Sequence, residues 1–188
     1  MFLMQQKNTT KLVTSGVMIA LAAVLSLIKV WAMPLGGSVT LLSMLPILMI
    51  SLRYGVRWGF VTSLLYAVVQ IFMDLGGLMS WGMTPLTWVG CLVFDYLLAY
   101  GILGIGGIFR NKGIKGYISG ITLAMILRFL SHFISGSIVF AVWCPEGWNV
   151  YWYSVCYNGA YMLPELIFTL IASLLLFRLP AFRKLIHQ

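Results

Sequence analysis

Long apolar stretches with very few charged residues dominate this sequence and limit what it can fold into. Hydrophobic residues make up 61% of the chain and charged residues only 9%, against roughly 45–50% and roughly 25% in soluble domains. A soluble globule could not bury so much apolar surface, so the sequence predicts an integral membrane protein. Intrinsic disorder is excluded, because disordered segments combine low hydrophobicity with many charges.

Charged residues and turn signals divide the apolar sequence into six predicted transmembrane helices within a single domain, residues 1–188. Their predicted bounds are about 12–33, 40–52, 58–73, 86–109, 117–143 and 154–177. A helix needs about 20 residues to cross a bilayer, so the second and third segments are short, and the second contains Pro46. Short or Pro-interrupted segments are typical of irregular backbone that lines a cavity.

The positions of the basic residues predict the orientation in the membrane. With the N-terminus in the cytoplasm, ten of the twelve Lys and Arg residues fall on the cytoplasmic side, and only Lys29 and Arg128 do not. Six spans then place both termini in the cytoplasm and leave 33–39, 74–85 and 144–153 as outer loops. The net charge of +8 is therefore a topology signal of a cell-membrane protein embedded in lipid. A nucleic-acid partner is excluded.

Patterns typical of enzymes are not found in the sequence. No nucleophile–base pair, ATP motif or metal-ligand spacing is present, so we predict a non-enzymatic protein without a cofactor of its own. The glycines at 101–107 are interpreted as a close-packing surface. Cys144 and Cys156 lie near one membrane face and could form a disulfide, but free thiols are favoured.

Several polar residues fall within the predicted spans, where ionisable groups are costly and usually functional. Arg128, His132 and Gly136 are spaced four apart and share one helix face. Arg128 could neutralise Glu165 in a purely structural pair, or both could be functional. Asp95 has no evident internal cation, which favours a cationic ligand. With aromatic residues between Phe140 and Tyr161, this predicts an acidic, aromatic cavity for a small planar cation.

Three stretches carry a family resemblance: FDYLLAYGILGIGGIF (94–109), RFLSHFISGSIVF (128–140) and PEGWNVYWYSVCYNGAYMLPE (145–165). They resemble the thiamine-specific substrate-binding component of energy-coupling factor transporters, the ThiT or YuaJ family. The resemblance implies capture of thiamine at the extracellular side. It also implies delivery together with a transmembrane coupling subunit and two cytoplasmic ATPase subunits.

The resemblance also implies roles for individual residues. The family's acidic ligand of the aminopyrimidine falls on Asp95, and Phe140 stands where a stacking Trp is expected. Gly16 and Ala20 in the first span match a docking face for the partner, although spacing alone fits packing within the bundle equally well. The predicted thiamine-binding residues are Trp31 (as a lid), Asp95, Tyr96, His132, Gly136, Phe140, Tyr153, Asn158 and Glu165.

Two alternatives remain open at this point. The first keeps the fold but changes the ligand to another flat vitamin or a thiamine precursor. The second is a stand-alone secondary transporter, in which Arg128, Glu165 and Asp95 would relay protons.

Overall fold

The structure, a computed structural model, describes residues 2–187, excluding the side chains of residues 2–7, 185 and 187. Within this described range, four apolar stretches are long enough to cross a membrane, and one of them, residues 85–138, contains two successive helices, α4 and α5. The elements are α1 (Phe2–Leu27), β1 (Lys29–Ala32), β2 (Ser38–Thr40), α2 (Leu45–Tyr54), α3 (Val56–Ser80), α4 (85–107), α5 (Gly113–Ile138), α6 (Val150–Arg178) and α7 (Pro180–His187).

The first predicted span is too long, because α1 ends at Leu27 and a β-hairpin follows. Strands β1 and β2 are antiparallel, with Trp31 opposite Val39. Between them, Gly36 has a φ of +89°, a conformation that glycine adopts without steric cost. The error has a physical cause, since a short apolar run has the same hydropathy in a strand as in a helix.

Helix α2 is short, as predicted for the second segment, but it begins at Leu45 rather than at residue 40, because Ser38–Thr40 form strand β2. Its ten residues rise about 15 Å, about half the thickness of a bilayer's hydrocarbon core. Every residue from Leu45 to Leu52 is buried, so α2 lies inside the bundle rather than against lipid. The hairpin precedes α2 directly, and this combination of half-helix and hairpin is the irregular backbone that was predicted beside a cavity.

Helix α3 is longer than the span predicted for it. The sequence predicts a short span over 58–73, whereas the helix continues to Ser80 and has 25 residues. Gly76 and Gly77 resemble a loop signal, but each costs only about 1 kcal/mol in a helix interior. Continuing the helix satisfies backbone polar groups, which a membrane favours strongly. Asp74 is therefore helical rather than part of an outer loop.

Helix α4 changes its winding along its length. It is α-helical over Pro85–Cys91, π-helical over Leu92–Leu98 and a 3₁₀-helix over Ile102–Gly107. Single π-turns occur frequently at functional sites, and this one contains Asp95. In the 3₁₀ part, a Cβ on Gly104 would lie 2.5 Å from the backbone of Phe60. The predicted close packing by these glycines is therefore confirmed.

The face of α1 that contains Gly16 and Ala20 is exposed. A Cβ built on Gly16 would meet no atom within 4 Å, so this small-residue face does not pack within the described bundle. At the other end of the chain, α7 packs Phe182 and Ile186 against the core. All three cysteines are free, as favoured from the sequence.

Candidate binding cavity

A cavity of about 490 Å³ lies between the hairpin and helices α3 to α6. The hairpin, the C-terminal part of α3 and the start of α6 supply one group of walls. The middle of α4 and the C-terminal half of α5 supply most of the remainder, together with the end of α1 and the segment before α2. Seven of the nine predicted ligand-binding residues line it: Asp95, Tyr96, His132, Gly136, Phe140, Tyr153 and Asn158. The structure therefore brings together residues from three helices that are far apart in the sequence.

Asp95 is held by two donors from α5. Its Oδ1 lies 2.8 Å from His132 Nδ1, and its Oδ2 accepts a hydrogen bond from the Ser135 hydroxyl. The π-helical turn of α4 and the i, i+3 spacing on α5 bring these groups together. Asp95 therefore has a partner within the protein that the sequence analysis did not foresee, an imidazole that is a cation only when protonated.

The other ring nitrogen of His132 has no hydrogen-bond partner among the described residues, although it is buried. The Asp95 carboxylate accepts this hydrogen bond, so Nδ1 of His132 is the donor and carries the hydrogen. Nε2 then accepts when the ring is neutral and donates when it is protonated. Buried polar atoms rarely lack a partner, and His132 lines the cavity. Its Nε2 is therefore available to a bound molecule.

Asn158 is fully engaged within the protein. Its amide nitrogen donates to the Ser154 carbonyl at 2.9 Å and approaches the His132 carbonyl at 3.3 Å. Its side-chain oxygen accepts from the Tyr161 hydroxyl at 2.8 Å. Asn158 therefore connects α5 to α6 and orients Tyr161, whose ring centroid lies 6.0 Å from that of His132.

Gly136 lines the cavity and is also required for helix packing. A Cβ there would collide with the Ser154 hydroxyl and lie 3.0 Å from Asn158 Nδ2. The interpretation that Gly136 opens room for a ligand is incomplete, because its missing side chain is where α6 approaches α5.

We expect Gly136→Ala to lower the melting temperature of the detergent-solubilised protein, because overpacking costs about 1–3 kcal/mol. Gly159→Ala is the matched control, since a Cβ at Gly159 meets no atom within 4 Å. Adding Ser154→Ala, which removes the hydroxyl that a Cβ at position 136 would meet without placing a glycine in the helix, should recover part of the loss. A melting temperature of G136A equal to that of G159A would contradict this account.

The tryptophan at the cavity is Trp81 and not Trp31. Trp31 lies on β1 with 52% of its surface exposed and does not line the cavity. Trp81, directly after α3, does line it, with its ring centroid 5.8 Å from that of Phe140. A Cβ on Gly36 would lie 2.7 Å from the Trp81 ring, so Trp81 also packs against the hairpin turn. Trp31 was assigned from the family resemblance alone, and all four residues of β1 are exposed.

The hairpin turn is attached to α6 by Tyr157. The Tyr157 hydroxyl donates to the Pro34 carbonyl and accepts from the Gly37 amide at 3.1 Å. A Cβ on Gly37 would lie 2.8 Å from that hydroxyl, so glycine is required for this approach. The turn therefore lies between Trp81 on one side and Tyr157 on the other.

Glu165 does not line the cavity, unlike the other predicted carboxylate. It is 1% exposed and accepts from the backbone amide of Thr40 at 2.8 Å and from the Thr40 hydroxyl at 2.7 Å. It therefore anchors β2 to α6. No carboxylate of the described residues lies within 4.0 Å of Arg128, so the predicted Arg128–Glu165 ion pair is not formed.

Asp74 is a cavity residue that the sequence analysis missed. It lines the cavity and accepts a hydrogen bond from the Tyr96 hydroxyl at 3.1 Å. A carboxylate at the end of an apolar run could have indicated a cavity residue. It was not considered because residues 74–85 were predicted to form an outer loop. Lys29 and Arg128 also line the cavity, so the lining has two carboxylates and two cations rather than a net acidic charge.

These features define a multi-pass membrane protein with a polar, aromatic binding cavity for a small molecule. The sequence matches the family described as thiamine transporter protein (Thia_YuaJ) over residues 12–183, and the chain belongs to this family. The thiamine transporter ThiT of Bacillus subtilis (strain 168) is 34% identical over 187 residues, covering 92% of this chain and 93% of that relative.

A solved structure shows the same fold. ThiT from Listeria monocytogenes superposes with a TM-score of 0.79 at 19% identity, covering 97% of this chain and 100% of that chain. The family consists of transporters rather than enzymes. The predictions of family, of a membrane location and of a non-enzymatic protein are therefore confirmed.

Proposed function

We propose that this chain binds thiamine in the cavity at the extracellular side and presents it for ATP-driven import. The observation that carries the proposal is the Asp95–His132 pair, which lies in an aromatic cavity of a thiamine transporter family member. Asp95 and Asp74 belong to one wall, joined through Tyr96. This wall places negative charge next to aromatic side chains.

The chemistry of thiamine fits these groups. Its thiazolium ring is a permanent cation, which carboxylates and aromatic faces stabilise, and each cation–π contact contributes about 0.5–2 kcal/mol. Its aminopyrimidine has donors and acceptors on one edge, complementary to a carboxylate and to the free His132 Nε2. Phe140 offers a weaker cation–π face than a tryptophan would, and Trp81 lies beside it.

The proposal includes partners, namely a transmembrane coupling subunit and two cytoplasmic ATPase subunits. Two observations support it. The Gly16–Ala20 face of α1 is exposed and free for another helix to approach. Apart from Lys29 on β1 and Arg128 in the cavity, the basic residues follow or precede helix ends away from the hairpin, where Arg110 donates to the Arg53 carbonyl at 3.1 Å. Under the positive-inside rule, the cavity then opens to the exterior.

Titration of the purified protein with thiamine, followed by tryptophan fluorescence, tests this proposal. Trp81 lines the cavity, so we expect saturable one-to-one quenching at submicromolar thiamine. Trp81→Phe should reduce the amplitude, while Trp31→Phe, which changes an exposed residue, should retain it. No response from folded protein would reject thiamine. A stronger response to riboflavin, nicotinamide or a thiamine precursor would favour the alternative of another flat ligand.

The structure gives no support to the stand-alone proton relay. That mechanism needs Arg128, Glu165 and Asp95 to exchange protons along a connected path. Glu165 is instead hydrogen-bonded to Thr40, and Asp95 to His132 and Ser135.

A further inference from the structure

Among the described residues that line the cavity, Arg128 has the most buried side-chain atoms without a hydrogen-bond partner. It is 4% exposed and lines the cavity, and both Nε and Nη1 lack a hydrogen-bond partner among the described residues. Its guanidinium lies over the Tyr100 ring, with Cζ 4.1 Å from the ring centroid. Stacking on an aromatic face leaves the N–H groups in the plane of the guanidinium unused.

Among the residues that the structure describes, none accepts a hydrogen bond from Nε or Nη1 of Arg128. Glu165 is the nearest candidate by sequence pattern, but its two oxygens accept from Thr40. Asp95 is likewise bound to two donors on α5. A buried charged group without hydrogen-bonded partners is costly, and native proteins pair nearly all such groups. The missing acceptor therefore has to come from what fills the cavity.

We propose that Arg128 forms a second subsite that binds an oxygen acceptor on the tail of the ligand, either a hydroxyl or a phosphate ester. This inference rests on the proposed function, because thiamine has a hydroxyethyl tail of this kind. Arg128 lies one helical turn along α5 from His132, whose partner is Asp95. The cavity is thus polarised, with carboxylates for the cationic ring and a guanidinium for the oxygen-bearing tail.

A purely structural role for Arg128 makes a different prediction. If the guanidinium only packs against Tyr100 and balances distant carboxylates, its loss changes the affinity for every ligand by the same factor. If it binds the tail, the loss depends on the tail. Comparing ligands that differ only there separates the two roles.

The experiment measures Kd for thiamine, for its analogue with an ethyl tail and for thiamine monophosphate. The proteins are the wild type, Arg128→Met and Arg128→Lys. In the wild type we expect the ethyl analogue to bind about tenfold more weakly than thiamine, the effect of one charge-assisted hydrogen bond. In R128M the two should bind equally. If R128M loses more affinity for the monophosphate than for thiamine, the subsite binds an anion. If the two losses of affinity are equal, the subsite binds a hydroxyl.

Arg178→Met is the matched control, because Arg178 is exposed at the end of α6 and should keep the preferences of the wild type. If R128M does not fold, R128K gives the answer. Lysine keeps the charge but not the planar donors, so the preference for the tail hydroxyl should shrink severalfold. Equal losses for all three ligands, or an unchanged hydroxyl preference, would overturn the proposal. A wild type that does not bind thiamine would instead reject the proposed function.

Discussion

Asp95→Asn is expected to weaken thiamine binding by about 10- to 100-fold. The substitution keeps the size of the side chain but removes the charge that lines the cavity and that orients His132 through the 2.8 Å contact. A hydrogen bond to a charged group contributes about 1.5–3 kcal/mol, and each 1.4 kcal/mol is about tenfold in Kd. The Kd from the fluorescence titration or from calorimetry measures the effect.

Ser135→Ala provides the comparison for Asp95→Asn. It removes the other hydrogen bond to the carboxylate but keeps the charge and the contact with His132. We expect a loss of affinity of less than tenfold, because one neutral hydrogen bond contributes about 1 kcal/mol. If D95N binds as tightly as the wild type, Asp95 does not bind the ligand. If S135A and D95N are equally weak, the geometry of the carboxylate matters rather than its charge.

Replacement of both Gly16 and Ala20 by leucine is expected to reduce thiamine uptake to background while leaving binding unchanged. The face is exposed and remote from the cavity, and Gly16 has open space beyond its Cα. A helix can approach a small-xxx-small face closely, and two leucines prevent that approach. Uptake of labelled thiamine by vesicles that contain the coupling and ATPase subunits measures the first quantity, and Kd in detergent measures the second.

The control for the α1 variant is Val61→Leu. Val61 is 50% exposed on α3, so this change also enlarges an apolar side chain on the outer surface. Uptake by V61L should match that of the wild type. Uptake that survives in the double-leucine variant would show that the partner docks elsewhere. Loss of both binding and uptake would indicate damage to the bundle.

Much of the cavity could be predicted because its polar residues lie within apolar helices. Asp95, His132 and Asn158 are conspicuous there, since few polar residues occur at that depth without a role. Helix periodicity also placed His132 and Gly136 on one face. The same reasoning gave the half-length of α2 and the close packing of the α4 glycines.

The other features of the cavity depend on long-range contacts that no local sequence pattern predicts. Glu165 does not pair with Arg128, because both of its carboxylate oxygens accept hydrogen bonds from Thr40, a residue of the hairpin. The choice between Trp31 and Trp81 depends on long-range packing, because Trp81 contacts the hairpin turn and Phe140 whereas all of β1 is exposed. Asp74 was missed because Gly76 and Gly77 suggested a loop, whereas burial in a membrane favours a longer helix.

The attachment of the hairpin to α6 determines when during synthesis the cavity can form. Thr40 and Glu165 are 125 residues apart in the chain, and Gly37 and Tyr157 are 120 apart. A ribosome produces the N-terminal part first, so the hairpin leaves it long before its partners on α6 exist. A nascent chain that ends before α6 lacks both attachments and one wall. The binding cavity is consequently among the last features of this protein to be completed during biogenesis.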